Sequence, residues 1–211
     1  MRFAFGAAVI IMTTAILQSC QYRAEPVPVG AFNIYSSYDQ KLPGKYLLLV
    51  DAVALDKDVR PTGLECSAHT YPLALSDAFR SAAVQTLGNL VHEVELVTAP
   101  VGRDELAGRG ARGMIVVRGE QLIARLRAVP GLWSATIETD VEIVSSIIVD
   151  GRNGRLLGAT VSGTGRSEAS AGGMCSGGAT ALGEAATQSM RQALTRVGEE
   201  LSNSERVREG V

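Results

Sequence analysis

The most regular stretch of this chain is TIETDVEIVSSIIV, residues 136–149. Every second residue from Ile137 to Val149 is aliphatic, Thr or Ser, and the first residues between them are Glu138, Asp140 and Glu142. Side chains of a β-strand alternate between two faces. The period of two therefore predicts one long strand with one face on a core, and with an acidic first half on the other face.

A hairpin is predicted directly after this strand. The turn DGRNG, residues 150–154, contains two glycines, and residues 155–165 return as the last strand. Upstream, the apolar run MIVV, residues 114–117, begins a strand predicted over 113–129.

Two segments show helical periodicity. The first begins near Pro72 and Ser76 and is expected to run for about sixteen residues. The second covers residues 179–201, and small residues dominate its apolar stripe, so it can lie close against a sheet. That stripe comprises Leu182, Ala185, Ala186, Ser189, Met190, Ala193, Leu194, Val197 and Leu201.

Shorter strands are predicted over residues 46–53 and 93–98, with one helical turn within 102–110. The order strand, helix, strand, strand, strand, strand, helix predicts an α+β fold. We expect a single two-layer domain over residues 45–202, with a mixed sheet of about five strands and two main helices on one face. A polar, frayed tail is expected over 203–211.

The amino terminus predicts a cellular location. Arg2 precedes an apolar run that is too short to span a bilayer, which is typical of a secretory signal over residues 1–19. The run ends in LQSC, residues 17–20, which resembles the lipobox of bacterial lipoproteins. That resemblance implies cleavage before Cys20, lipidation of its sulfur and, because Gln21 is not Asp, sorting to the outer membrane. Residues 20–44 are predicted to be a flexible, Pro-containing tether. The alternatives are an ordinary signal with a chance cysteine, or an uncleaved anchor.

Composition narrows the function classes. The 20 Lys and Arg against 22 Asp and Glu form no basic stripe, so nucleic-acid binding is not expected. After the signal, no apolar run is long enough for a helical membrane span. The only histidines, His69 and His92, do not have metal-ligand spacing with the cysteines, so no metal or cofactor is predicted.

Two cysteines remain if Cys20 carries lipid. In an oxidising compartment, an even pair such as Cys66 and Cys175 is typical of a disulfide. The alternative is two buried free thiols. Cys66 precedes the first predicted helix and Cys175 precedes the last, so a bridge would join the approaches to both helices.

The layout of the chain resembles that of a group of bacterial envelope lipoproteins. The shared features are the lipobox, the early apolar strand and helix, the hairpin turn VDGRNGRLLG at 149–158, the glycine-rich loop at 172–178 and the Ala-rich last helix. The group includes the curli-secretion-channel lipoprotein and the penicillin-binding-protein activator lipoproteins. The resemblance implies an anchored periplasmic module that assembles with, or activates, other envelope proteins.

Candidate sites are few. Glu138, Asp140 and Glu142 share one strand face, where they could meet a partner, and Trp133 is the one large aromatic that could anchor it. Two carboxylates could also act as acid and base, but a solvated strand face is the commoner case. The glycine-rich loop lacks the Lys followed by Ser or Thr that a phosphate-binding loop contains. The Gly163–Gly165 pair lacks the third glycine of a dinucleotide fingerprint. No catalytic residue is predicted.

Three functions are ranked on this basis. The first is a non-enzymatic, lipid-anchored outer-membrane protein that faces the periplasm and acts by protein–protein interaction within an envelope transport, secretion or assembly complex. A homo-oligomer is compatible with it. The second is a module that binds a small ligand or glycan in a cleft near the glycine-rich loop. The third, and least favoured, is an envelope hydrolase.

Overall fold

The computed structural model of the chain describes residues 31–62, 66–132 and 134–210. Short 3-10 turns lie at Val53–Leu55 and Gly173–Cys175. The strands and helices in these ranges are β1 (Leu42–Asp51), β2 (Asp56–Val59), β3 (Tyr71–Ala74), α1 (Ser76–Leu90), β4 (Val91–Leu96), α2 (Arg103–Gly108), β5 (Gly113–Pro130), β6 (Ala135–Gly151), β7 (Arg155–Ser170), α3 (Gly177–Ser202) and α4 (Glu205–Glu209).

The main sheet has five strands in the order β4-β1-β5-β6-β7. β4, β1 and β5 are mutually parallel, whereas β5, β6 and β7 are antiparallel. The sheet is therefore mixed, and the predicted α+β class is confirmed. A separate two-stranded ribbon is formed by β2 and β3, which the sequence analysis assigned to a loop and to the start of the first helix.

The predicted alternation organises the sheet. Along β6 the odd-numbered side chains from Ile137 to Val149 are buried, and the intervening ones are partly or fully exposed except for Ser146. β6 pairs with β5 on one side and β7 on the other over nearly its whole length. Three long strands therefore share one inner face.

The core lies between this inner face and the two long helices. Buried side chains of α1, such as Phe79, and of α3, such as Met190, belong to the same cluster as Ile115 and Ile143 of the sheet. On the opposite face, Leu106 of α2 covers a smaller apolar cluster near β1 and β5. The two main helices thus lie on one face, as predicted from their apolar stripes.

Gly163 and Gly165 allow α3 to touch β7 directly. A Cβ at Gly163 would overlap the backbone of Ser189 and Ala193, and a Cβ at Gly165 would overlap the carbonyl of Ala185. The missing side chains, together with the small residues on α3, bring the two backbones into contact. The two glycines therefore have a packing role.

The outer edge of β7 is capped by side chains of α3. The N–H of Thr164 donates to Gln192 Oε1 at 2.6 Å, and the N–H of Arg166 donates to Gln188 Oε1 at 3.3 Å. The two glutamines are four residues apart, so they stand on one side of the helix. Backbone groups that already have partners cannot template another strand, so the middle of the β7 edge is partly blocked.

Part of the predicted tether is docked on the domain. Within residues 31–41, the N–H of Phe32 donates to Thr86 Oγ1 at 3.2 Å, and the N–H of Ser37 donates to Asn203 Oδ1 at 2.7 Å. The last residues of the predicted tether already belong to β1. The remaining part, with Cys20, lies outside the described residues.

The predicted polar tail contains α4 instead of a frayed end. Val207 is fully buried, and its carbonyl accepts a hydrogen bond from the hydroxyl of Tyr46 at 3.0 Å. Ser204 caps the helix by accepting from the N–H of Val207. A single apolar residue has no periodicity, so the sequence pattern could not show this docking.

Glu95 joins β1, β4 and the end of α2. Its carboxylate lies 2.7 Å from Lys45 Nζ and 2.6 Å from Arg109 Nη1. The hydrogen bond from Lys45, followed by that from Arg109, lowers the pKa of Glu95 below its ordinary value. The stability that ionised Glu95 contributes is therefore present above about pH 4.5 and is lost as the pH falls through the lowered pKa.

We expect Glu95→Gln to lower the melting temperature by roughly 1–3 °C at pH 7, because the contacts are exposed. The difference in melting temperature between the variant and wild type should shrink as the pH falls below 4.5, where wild type loses the same charge. Thermal unfolding followed by circular dichroism between pH 3 and pH 7 measures this. Glu168→Gln, at an exposed position without an ion pair among the described residues, is the control. An equal gap at pH 3 and pH 7 would contradict the assignment.

Candidate functional site

An open pocket lies where the parallel strands β1 and β4 end. Its volume is about 430 Å³, which is in the range of pockets that take small ligands or peptide side chains. Carboxyl ends of parallel strands commonly form such clefts, because the chain leaves the sheet in different directions there. The apolar part of the lining comprises Leu48, Leu49, Val50, Val84, Leu96, Val97 and Pro100.

Two arginines stand at this pocket. Arg80 comes from α1, and Arg118 comes from β5, on the face opposite the helices because its neighbour Val117 lies in the core. Among the described residues, neither guanidinium has a hydrogen bond or an ion pair within 4 Å. Asp51 also lines the pocket, and its Oδ1 accepts from the N–H of Val53 at 3.4 Å. The pocket therefore carries a net positive charge.

The pocket also contains an unpaired strand edge. The last pair of β1 with β4 is Leu48 with Leu96, the N–H of Val97 still donates to Leu48 O at 2.9 Å, and β1 continues to Asp51. No strand in the described ranges covers the β4 side of residues 49–51. The side chain of Leu96 at the rim is 59% exposed. An extended backbone, an apolar wall and two cations thus converge on one open space.

The acidic row, which consists of Glu138, Asp140 and Glu142 on β6, has basic side chains beside it. Glu138 Oε2 lies 2.8 Å from Arg127 Nη2 on β5, and Asp140 Oδ1 lies 2.6 Å from Arg166 Nε on β7. Glu142 has no ion pair among the described residues. Asp140 and Glu142 line a groove of about 210 Å³ together with Arg125 and Arg166, so the surface has mixed charge. This differs from the acidic face expected from β6 alone.

Cys66 and Cys175 lie at disulfide-bonding distance, with their Cα atoms 5.9 Å apart. The hydroxyl of Tyr71 donates to the carbonyl of Cys175 at 2.6 Å, which holds the glycine-rich loop against β3. The cysteines line a depression of about 580 Å³, the cleft expected near this loop. Trp133, with the predicted aromatic contact, lies outside the described residues.

Comparisons with known proteins identify no family. No family model matches the chain, and no curated protein matches it. A crystal structure of a Xanthomonas campestris protein with the family designation DUF330 covers 87% of this chain and 93% of its own, at 14% identity and a TM-score of 0.43. A structure of a hypothetical protein from Chlamydia trachomatis covers 74% and 95%, at 11% identity and a TM-score of 0.36. These similarities are too low to carry an argument about function, and they leave the lipoprotein resemblance untested.

The described residues contain no group of three or more His, Cys, Asp or Glu side chains that could hold a metal ion. None of their helices is long and apolar enough to cross a membrane.

The sequence analysis missed the pocket between β1 and β4. Its two arginines are 38 positions apart, on elements that only the fold brings together. One signal was present, since Arg118 interrupts an apolar strand directly after MIVV. An arginine at that position breaks the pattern of a fully buried strand and follows the last β5 residue, Val116, of the smaller apolar cluster on that face.

Proposed function

We propose that the protein is a lipid-anchored accessory protein of the outer membrane that binds another envelope protein with its periplasmic domain. The observation that carries this proposal is the pocket between β1 and β4. Its unpartnered Arg80 and Arg118 and its exposed Leu96 are groups that a binding partner could satisfy. The proposal assigns no catalytic step and no cofactor.

The position of the docked amino-terminal segment supports a membrane-proximal role. Ten residues separate Cys20 from Ala31, and the next residue, Phe32, is bound to Thr86 of α1. An extended chain spans at most about 3.3–3.6 Å per residue, so a lipidated Cys20 would lie within about 40 Å of this point. The helix that supplies Arg80 would therefore be held near the membrane surface.

A second candidate function is the binding of a small anionic, partly apolar ligand in the same pocket. The volume of about 430 Å³ and the excess of cationic groups favour it. The open rim at Leu96 and the unpaired edge of β1 favour a polypeptide instead, because a small molecule leaves the backbone groups of an edge strand unsatisfied.

Crosslinking in living cells tests the proposal. A photoreactive phenylalanine analogue at Leu96 of the full-length chain should give one discrete protein adduct after irradiation. The same analogue at Glu142 tests the acidic row, and at Tyr35, which is 80% exposed, it is the control. Arg80→Gln with Arg118→Gln should reduce the Leu96 adduct at least tenfold. Cys20→Ser should move the protein from the membrane fraction to the soluble periplasmic fraction.

Each part of the proposal can fail separately. No adduct at Leu96, or an adduct that survives removal of both arginines, would contradict partner binding at the pocket. An adduct at Glu142 alone would move the interface to the acidic row. A Cys20→Ser protein that still sediments with membranes would remove the lipid anchor.

A further inference from the structure

We infer that the pocket binds the carboxyl-terminal end of an extended partner polypeptide. The terminal carboxylate would lie between Arg80 and Arg118, and the adjoining apolar side chains would pack on the wall that contains Val84 and Leu96. This inference rests on the proposed function and specifies the chemistry of the partner.

The backbone of β1 favours an extended occupant. Residues 49–51 form a strand edge that no described strand covers, although β4 covers the same side of the residues before them. The carbonyl of Leu48 faces β4, where it accepts from the N–H of Val97, so on the uncovered stretch Val50 is the residue whose N–H and C=O face the same side. One residue of an added segment can pair there by main-chain hydrogen bonds. Such an occupant would continue the position of β4 in the sheet.

The direction of β4 favours a carboxyl terminus. β4 runs parallel to β1, so an occupant that continues β4 in the same direction has its carboxyl end beside Asp51. There the chain of β1 leaves the sheet into the 3-10 turn Val53–Leu55, and the edge ends. An added strand must therefore stop at this level or turn away.

The charges complement that end. Arg118 pairs in register with Asp51 across β1 and β5, and Arg80 approaches from the helical face. Two guanidinium groups without other partners among the described residues match a carboxylate, which each can bind through two N–H groups. Asp51 offsets one of the two positive charges, and the remaining charge of the three groups, +1, matches one terminal carboxylate.

The opposite edge of the sheet is blocked in its middle. Gln188 and Gln192 already occupy the outer N–H groups of β7 at Arg166 and Thr164. The edge at β4 and β1 is therefore the one on which an added strand also meets cationic and apolar side chains.

The test uses synthetic octapeptides that are randomised at their last four positions, prepared with a free carboxylate and, separately, as carboxamides. They are screened against the full folded domain with its cysteines intact. We expect the carboxylate library to enrich peptides with aliphatic or aromatic final residues. Selected peptides should lose at least tenfold in affinity as amides, and equally with Arg118→Gln or Arg80→Gln.

Arg125→Gln is the matched control, because Arg125 lies on the same strand and face as Arg118, is exposed, and does not line this pocket. It should leave peptide affinity unchanged. Equal enrichment in both libraries, or equal loss with Arg125→Gln, would overturn the inference. If decanoate bound at the pocket and no peptide did, a small ligand would replace the peptide. A Leu96 adduct in cells combined with a failed peptide screen would overturn the carboxyl-terminal chemistry alone.

Discussion

Replacing Gly165 with valine is expected to destabilise the domain by about 3 kcal/mol, because the new side chain has no room. A Cβ at this position would overlap the carbonyl of Ala185 and lie 2.8 Å from the backbone N of Ser189. Both obstacles are helix backbone, so α3 would have to move away from β7. Urea unfolding followed by circular dichroism measures the loss. For a domain of this size, it corresponds to a melting temperature lower by roughly 6–12 °C.

Gly158→Val is the control for this prediction. Gly158 lies on the same strand, but its nearest neighbour to a new Cβ is the side chain of Arg155 at 3.6 Å, an ordinary contact. Valine favours strands and glycine does not, so this variant should be neutral or slightly more stable. Equal destabilisation by the two substitutions would show that the approach of α3 to β7 does not limit residue size.

Removing the bridge between Cys66 and Cys175 should cost about 2–4 kcal/mol. The two residues are 109 positions apart, and a crosslink over such a distance restricts the unfolded chain strongly, with an upper estimate of about 4.7 kcal/mol. Backbone strain at the two cysteines in the native state offsets part of the stabilisation by the bridge. Cys66 and Cys175 have φ values of 60° and 63°, a left-handed conformation that costs about 1 kcal/mol or more per non-glycine residue.

Denaturant unfolding of Cys66→Ala/Cys175→Ala against wild type, each with and without reductant, measures this effect. Reductant should lower the stability of wild type to that of the double variant and leave the variant unchanged. Mass spectrometry of the protein isolated from its native cells should show the bridged pair before reduction. Two free thiols in that sample, or a wild type that is insensitive to reductant, would contradict the disulfide.

Much of the fold could be predicted from local patterns. The period of two in residues 136–149 identified β6 and its buried face, and the turn at 150–154 identified the hairpin with β7. The stripe of small residues in α3 indicated a close approach to the sheet. These features are repeated along one segment, so the sequence of that segment contains the whole signal.

The short elements were missed or misplaced. β2 and β3 have four residues each, and Pro72, expected near a helix start, lies within β3. Strands of this length have too few residues for periodicity, and they form because they pair with each other.

The acidic row also combines a feature that the sequence shows with one that depends on strand pairing. The sequence correctly placed Glu138, Asp140 and Glu142 on one strand face. Their electrostatic surroundings depend on which residues stand opposite, and the pairing of β6 with β5 and β7 sets Arg127 and Arg166 beside them. Charge along one strand is a local property, whereas the charge of a sheet surface depends on register.

By itself, the sequence determined the α+β class, the long strands, the two main helices and the face that each turns to the core. It determined them because burial imposes a period on consecutive residues. Only the tertiary structure decided the packing of α3 on Gly165, the docking of Val207 and the meeting of Arg80 with Arg118. Those contacts join residues far apart in the chain, and their distance depends on how elements stack, which no period along the chain encodes.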